Sequence, residues 1–194
     1  MKKMMISILA MMLFVPAIHA ENWTVDGAHS SVNFTVRHMV ISKVHGVFKD
    51  FSGYISFNEK NIENSSVTFT VDMASVDTDN EKRNEHLKSA DFFDVEKYPT
   101  MTFKSTKVIK GEGNKFKLVG DLTIKDVTSE VTFDCEFGGI VKLQEGDAKA
   151  GFSAATTINR QDFHVAWSKT LDGGGLVVSD DVDISIEIEA NLVK

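Results

Sequence analysis

The chain has 194 residues, with 28 acidic against 21 basic side chains and a formal net charge of −7. Its lysines are scattered and form no basic stripe, which excludes a nucleic-acid-binding face and any general attraction to an anionic membrane. Its single cysteine, Cys135, excludes an internal disulfide, so the fold must stand on a hydrophobic core rich in phenylalanine.

Lys2 and Lys3 precede an apolar run from Met4 to Ile18, broken only by Ser7 and Pro16, and Ala20 offers a small residue for cleavage. This is the layout of a secretory signal peptide over residues 1–20, and the run is too short to span a bilayer comfortably. Ile18 sits where a smaller residue is usual, so a retained signal anchor is the minor alternative. The expected location is the periplasm, with one domain over residues 21–194.

Beyond the leader, alternation with a period of two dominates. Val32, Phe34, Val36 and His38 alternate with polar residues, as do Val67, Phe69, Val71 and Met73. Between them, Val44 to Phe57 contains Gly46 and Gly53 and predicts a bent strand or a bulged pair. Thr78-Asp79-Asn80-Glu81 reads as a capping box opening a helix that runs to Ser89. Strands are then expected over Thr100–Ile109, Phe116–Ile124, Val131–Phe137, Ala148–Ile158 and Val182–Leu192. Gly111–Asn114, Gly138-Gly139, Glu145–Asp147 and Asp172–Gly175 supply the turns. About eight strands and one short helix suit a closed antiparallel β-barrel better than a sandwich. Lys, Asp and Glu occupy the polar phase of nearly every strand, so the apolar phase points inward, unlike that of an outer-membrane barrel.

The residues that could carry chemistry form no reactive pattern. His29, His38, His45, His86 and His164 show no metal-binding spacing, so neither a metal nor another cofactor is expected. Gly151–Ala155 is half of a nucleophile elbow without its second glycine. Cys135 lies in phase with Val131, Phe133 and Phe137 and reads as a buried, inert thiol. No catalytic residue is assigned, and the protein is read as a non-enzyme. Arg37 and His38, and Arg160 with Asp162, stand at strand ends, where either a structural ion pair or a polar mouth would place them. Gly46, Gly53, Gly120, Ala148, Ala150 and Ala154 share the apolar phase with the phenylalanines. That mixture predicts either an interior with room in it or the taper of a closed core.

The order of several segments is familiar. His29-Ser30-Ser31-Val32-Asn33-Phe34-Thr35-Val36-Arg37-His38, Val44-His45-Gly46-Val47-Phe48 and Phe51-Ser52-Gly53 come first. Arg83-Asn84-Glu85-His86-Leu87, Phe92-Phe93-Asp94, Tyr98-Pro99, Gly120–Ile124, Ala150–Ser153 and Asn159-Arg160-Gln161-Asp162-Phe163 follow. The sequence resembles the YceI-like polyisoprenoid-binding family along essentially the whole mature chain, with His164 where relatives usually carry Gly.

The resemblance implies a lipocalin-like, eight-stranded antiparallel β-barrel around an elongated pocket. The partner it implies is a long-chain isoprenoid (quinone-like or polyprenyl) or a fatty-acyl lipid, held for storage or transport, without stable membrane insertion. Several members form homodimers. On this reading the ligand-binding residues are Phe34, Val36, His38, Phe48, Phe69, Val71, Phe92, Phe93, Phe103, Phe116, Phe152, Arg160, Phe163 and Trp167. Two alternatives stand beside it. One is an enzyme acting on the bound lipid through His38, His164, Arg160 or Asp162. The other is a stress or interaction protein with a closed core.

Overall fold

A computed structural model describes residues 20–170 and 175–194. All but Ala20 of the expected leader, and most of the Asp172–Gly175 turn, lie outside these described residues.

Eleven strand segments are present. They are β1 (Glu21–Val25), β2 (Ser31–His38), β3 (Ser42–Phe48), β4 (Phe51–Phe57), β5 (Ser66–Asp72) and β6 (Val76–Asp77), followed by β7 (Thr100–Lys110), β8 (Lys115–Ile124), β9 (Val127–Lys142), β10 (Ala148–Asn159) and β11 (Val178–Leu192). All pair antiparallel, and β1 closes the sheet by pairing with both β4 and β11.

The register reduces these eleven segments to eight staves. β1 and β2 lie end to end along one edge of β11, through Val25↔Ala190 and Ser31↔Glu187. β3 and β4 pair with them in turn, through Val32↔Phe48 and Trp23↔Ile55. β5 and β6 continue the pattern, through Phe51↔Val71 and Phe48↔Val76. The result is an eight-stranded, lipocalin-like barrel in which three staves are broken once each and five run unbroken.

Each break flips the inward phase. Trp23 and Val25 face the interior from odd positions, whereas Val32 and Phe34 do so from even ones. Phe48 and Phe51 both pack inward across the second break, and Met73 and Val76 across the third. Side chains alternate strictly along a strand, so a shared inward face on both sides of a break requires the chain to step out of register there. The bent strand expected over Val44–Phe57 is this second broken stave.

Ion pairs hold two of the breaks. Lys149 Nζ reaches Asp26 Oδ2 at 2.8 Å and Glu189 Oε1 at 2.6 Å, beside the first break. Lys49 and Asp77 pair beside the second.

One end of the barrel is packed shut. Trp23 is fully buried there among Ala148, Ala150 and Ala190, the last two directly opposite each other. Phe57 packs on Phe137 and Phe152, with ring centroids 4.7 and 5.1 Å away.

The other end carries α1 (Glu81–Lys88), which crosses from β6 towards β7. Its N-cap is Asn80, whose side chain accepts from the Arg83 N–H. The cap therefore falls two residues later than the Thr78 capping box predicts. Asn80 has extended backbone directly before the first helical residue, as a cap requires, while the Thr78 hydroxyl donates to Asn84 Oδ1 at 2.7 Å.

At this same end the β2–β3 hairpin turns through Met39 and Val40, at φ 51° and 66°. The Ile41 N–H donates to the His38 carbonyl within a three-residue connection, Met39–Ile41, between the paired His38 and Ser42. Left-handed backbone is unusual for any residue with a Cβ and is most disfavoured for a β-branched one.

Candidate functional site

Two adjoining cavities occupy the barrel interior and share Val32, Met101 and Ile184 in their walls. The one towards the packed end has a volume of about 120 Å³ and is walled almost wholly by apolar side chains. The one beneath α1 has a volume of about 260 Å³ and brings polar groups to an otherwise apolar wall.

The residues predicted from the sequence divide between them. Phe34, Val36, His38, Phe48, Phe92, Phe93, Arg160 and Trp167 line the cavity beneath α1. Phe69, Val71, Phe103, Phe116 and Phe152 line the other. Phe163 lines neither; it is buried in the wall with Ile158 and Val165. These hollows differ from the closed core of the second alternative.

The small inward residues have a more specific role than leaving room. A Cβ on Gly46 would fall 2.2 Å from Phe34 Cζ, one on Gly53 2.6 Å from Phe69 Cδ2, and one on Gly120 2.5 Å from Phe103 Cζ. Each of these glycines is a seat over which a phenylalanine from the neighbouring stave lies flat. The ring thereby clears the lumen and covers backbone that would otherwise be bare. Ala148 and Ala150 make space for Trp23, whereas Ala154 does line the inner cavity.

Arg160 differs most from a free ligand-binding group. Only 5% exposed, it donates from Nε to Ser179 O, from Nη1 to Val165 O and Trp167 O, and from Nη2 to Asp180 Oδ1 at 2.8 Å. Its ionic partner is Asp180, and Asp162 is exposed. Burial lowers its pKa, while the charge of Asp180 and its hydrogen bond oppose that shift. The guanidinium knots the Arg160–Phe163 turn and Trp167 to the start of β11, which makes it a positioning residue for the wall. A guanidinium has five donors, and most of these are already engaged.

Arg83 is in the opposite situation. Its Nε and Nη2 donate to the hydroxyl and carbonyl of Thr78, at 2.8 and 2.6 Å. Among the described residues no carboxylate pairs with it, and no acceptor meets Nη1. One turn later His86 stacks edge-on against Phe92 and Trp167, with centroids 4.9 and 5.3 Å away, and its Nε2 lies 3.3 Å from Asp91 Oδ2. Arg83 and His86 both line the cavity beneath α1. Sequence reasoning passed over this pair, although a spacing of three on a helix places two residues on one face.

The remaining candidates fall outside the lumen. His164 caps the Arg160–Phe163 turn at φ 56°, a left-handed position that explains a preference for Gly there. Its exposed ring meets Asp126 Oδ1 at 3.1 Å and does not reach the cavity, so its bulk leaves the mouth unchanged. Ser153 sits within β10, paired with β9 and β11, rather than on an elbow. Cys135 is buried, and burial with the neighbouring Asp134 charge pushes its thiol up to about 12. Asp26, His29 and Glu189 converge within 4.8 Å of one another, but the Lys149 ammonium already bridges the two carboxylates.

Comparison with known proteins places this barrel. A family model described as the YceI-like domain matches residues 23–190. The chain belongs to the YceI family. A UPF0312 protein of Staphylococcus aureus strain N315 is 36% identical over 172 residues, which cover 88% of this chain and 98% of that protein. The crystal structure of a Campylobacter jejuni YCEI protein is 40% identical, with a TM-score of 0.72 over 88% of this chain and 97% of that one. Burkholderia cenocepacia BcnA is 30% identical, with a TM-score of 0.74 over 85% and 98%. A polyisoprenoid binding domain from Saccharophagus degradans, at 15% identity and a TM-score of 0.63, shares the fold over 90% and 99%.

Proposed function

We propose that this YceI-family barrel binds one long amphiphilic lipid, an isoprenoid or a fatty-acyl chain, and stores or carries it in the periplasm. The observation that carries the reading is the polarity of the interior: an apolar inner cavity adjoining an outer one whose polar groups gather under α1. The tail runs towards Trp23, past Phe103, Phe116 and Phe152. The head lies beneath α1, where Arg83 Nη1 donates to an oxygen and Trp167 and Phe92 flank it. Arg160 supports that wall from behind.

The energetics suit a carrier. Each methylene transferred from water is worth ~0.8 kcal/mol, and a chain of tens of carbons would sum past the practical ceiling of roughly 18–21 kcal/mol. Such a ligand does not escape into water. It exchanges with a membrane at little net cost, because barrel and bilayer are both apolar. No nucleophile with a neighbouring base faces the cavity among the described residues, which favours carriage over turnover. The charged n-region and apolar run of residues 1–20 support export.

Native mass spectrometry of protein purified from the periplasm of its own host, followed by lipid extraction, tests the reading. One lipid per chain is expected, with retention falling several-fold in Arg83→Gln and lost in Phe103→Asp. A barrel that is consistently empty and takes up no isoprenoid or fatty-acyl lipid overturns it.

A further inference from the structure

The tip of the β2–β3 hairpin is the most exposed run of large apolar side chains among the described residues: Met39 is 41%, Val40 60% and Ile41 86% exposed. Neither packing nor backbone geometry accounts for it. The three side chains have little to bury against, and the turn holds Met39 and Val40 in left-handed conformations that Asn or Gly adopt more readily. Apolar residues at a solvated, strained tip point to a contact outside the chain.

The surroundings say which contact. Directly behind the tip, Arg37 and Lys43 stand opposite each other on the exposed face, and neither forms an ion pair among the described residues. Elsewhere this rim carries charges of both signs, with Asp91, Glu96 and Asp162 exposed alongside Lys82 and Lys97, whereas the cross-strand pair directly behind the tip is basic on both sides. Apolar residues followed by a cationic pair match the layers of a bilayer, acyl boundary first and phosphates next. The Met39 N–H donates to Val177 O at 2.8 Å, and His38, Val177 and Val178 line the outer cavity. The finger therefore stands at the cavity's own mouth. At the packed end Leu143 is exposed too, and exposed Val141 borders a different kind of opening, a groove of about 480 Å³ whose wall carries the charged Glu136, Lys149, Glu187 and Glu189.

We propose that the hairpin is a membrane-contact finger: Met39, Val40 and Ile41 enter the interface of a phospholipid bilayer while Arg37 and Lys43 meet its phosphates. The purpose of the contact, passing lipid without exposing it to water, rests on the carrier reading; the contact itself does not. Among the described residues no helix is long and apolar enough to cross a membrane, and a peripheral contact needs none.

Flotation of the full mature chain with vesicles of phosphatidylethanolamine and phosphatidylglycerol tests it, with native mass spectrometry of the same samples for bound lipid. Wild type floats, more weakly as salt is raised. Val40→Asn, which fits the left-handed turn, and Ile41→Ser each reduce partitioning about tenfold or more. Arg37→Ser with Lys43→Ser reduces it at low salt, and Leu143→Ser leaves it unchanged. Retained lipid in a tip variant that no longer floats separates the finger from the carrier reading; flotation of an empty barrel supports the finger alone. Failure of wild type to float, or equal flotation of the tip variants, overturns the proposal. So does a tip substitution that dissociates a dimer without any vesicle binding, which would assign the tip to a second copy.

Discussion

Phe34 lies across Gly46 on the adjacent stave, so close that a Cβ on the glycine would fall 2.2 Å from the ring's Cζ. Gly46→Ala therefore drives the ring off its seat and into the outer cavity, because the backbone of a closed sheet gives less than a side chain. Overpacking of this kind destabilises by roughly 1–3 kcal/mol, and the displaced ring takes volume from the ligand. A lower melting temperature together with reduced lipid content is expected. Gly27→Ala, which meets nothing within 4 Å, is the control and should change neither.

Arg160 and Arg83 both line the outer cavity, but they should respond oppositely to substitution. Arg160→Met strands the carbonyls of Val165, Trp167 and Ser179 and leaves Asp180 without its cation. Asp180 is 36% exposed and can hydrate, so the loss comes mainly from the stranded carbonyls. A buried acceptor left without a partner costs roughly 1–3 kcal/mol, and chemical denaturation should show it. Arg83→Gln keeps a polar group near Thr78 and should leave the denaturation midpoint nearly unchanged while lipid retention falls. Equal destabilisation by the two would refute the division of roles.

The contrast between these arginines shows where the sequence was readable. Period-two alternation located the long strands, and thus the barrel and the inward face of Phe69 and Phe116, because side-chain direction is fixed by strand geometry alone. The three breaks were harder to read, since each flips the phase, and a flip looks in sequence like the end of one strand and the start of another. Glycines at 46, 53 and 120 were visible, but their function depends on a ring one stave away. Arg160 and Arg83 look alike as letters. Only the tertiary count of acceptors separates a guanidinium with most of its donors engaged from one with a whole nitrogen to offer. Trp23 was passed over because β1 is too short to show alternation.

The ion pairs at the broken staves predict that the barrel is acid-sensitive. Asp77 is held well below the ordinary carboxylate pKa by Lys49, with Asn84 adding a hydrogen bond, and Asp26 is lowered by Lys149 and then by His29. A depressed folded-state pKa gives stability that is fully present above the unfolded value, near 3.9, and is lost as pH falls through the lowered one. Melting temperature should therefore hold down to about pH 5 and fall steeply below about pH 4. Asp77→Asn should melt lower at neutral pH and show a shallower acid slope, its curve converging on wild type at the acid extreme. Parallel curves would remove Asp77 from the account.

Cys135 reports on the inner cavity. It faces that space from β9, opposite Phe116 and Ala154, and its thiol is pushed up to about 12, chiefly by burial. Thiolate is the reactive form, and at about pH 8 a thiol so shifted is almost wholly protonated as well as shielded from solvent. A maleimide should therefore leave the folded protein unlabelled at that pH and label it fully in denaturant. Slow native labelling would then proceed only through opening of the barrel, and its rate would measure how often the walls part. A lipid filling the inner cavity stabilises the closed form and should slow that rate further. Labelling of the native chain at the speed of a free thiol would show that Cys135 is not enclosed and would refute the inner cavity itself.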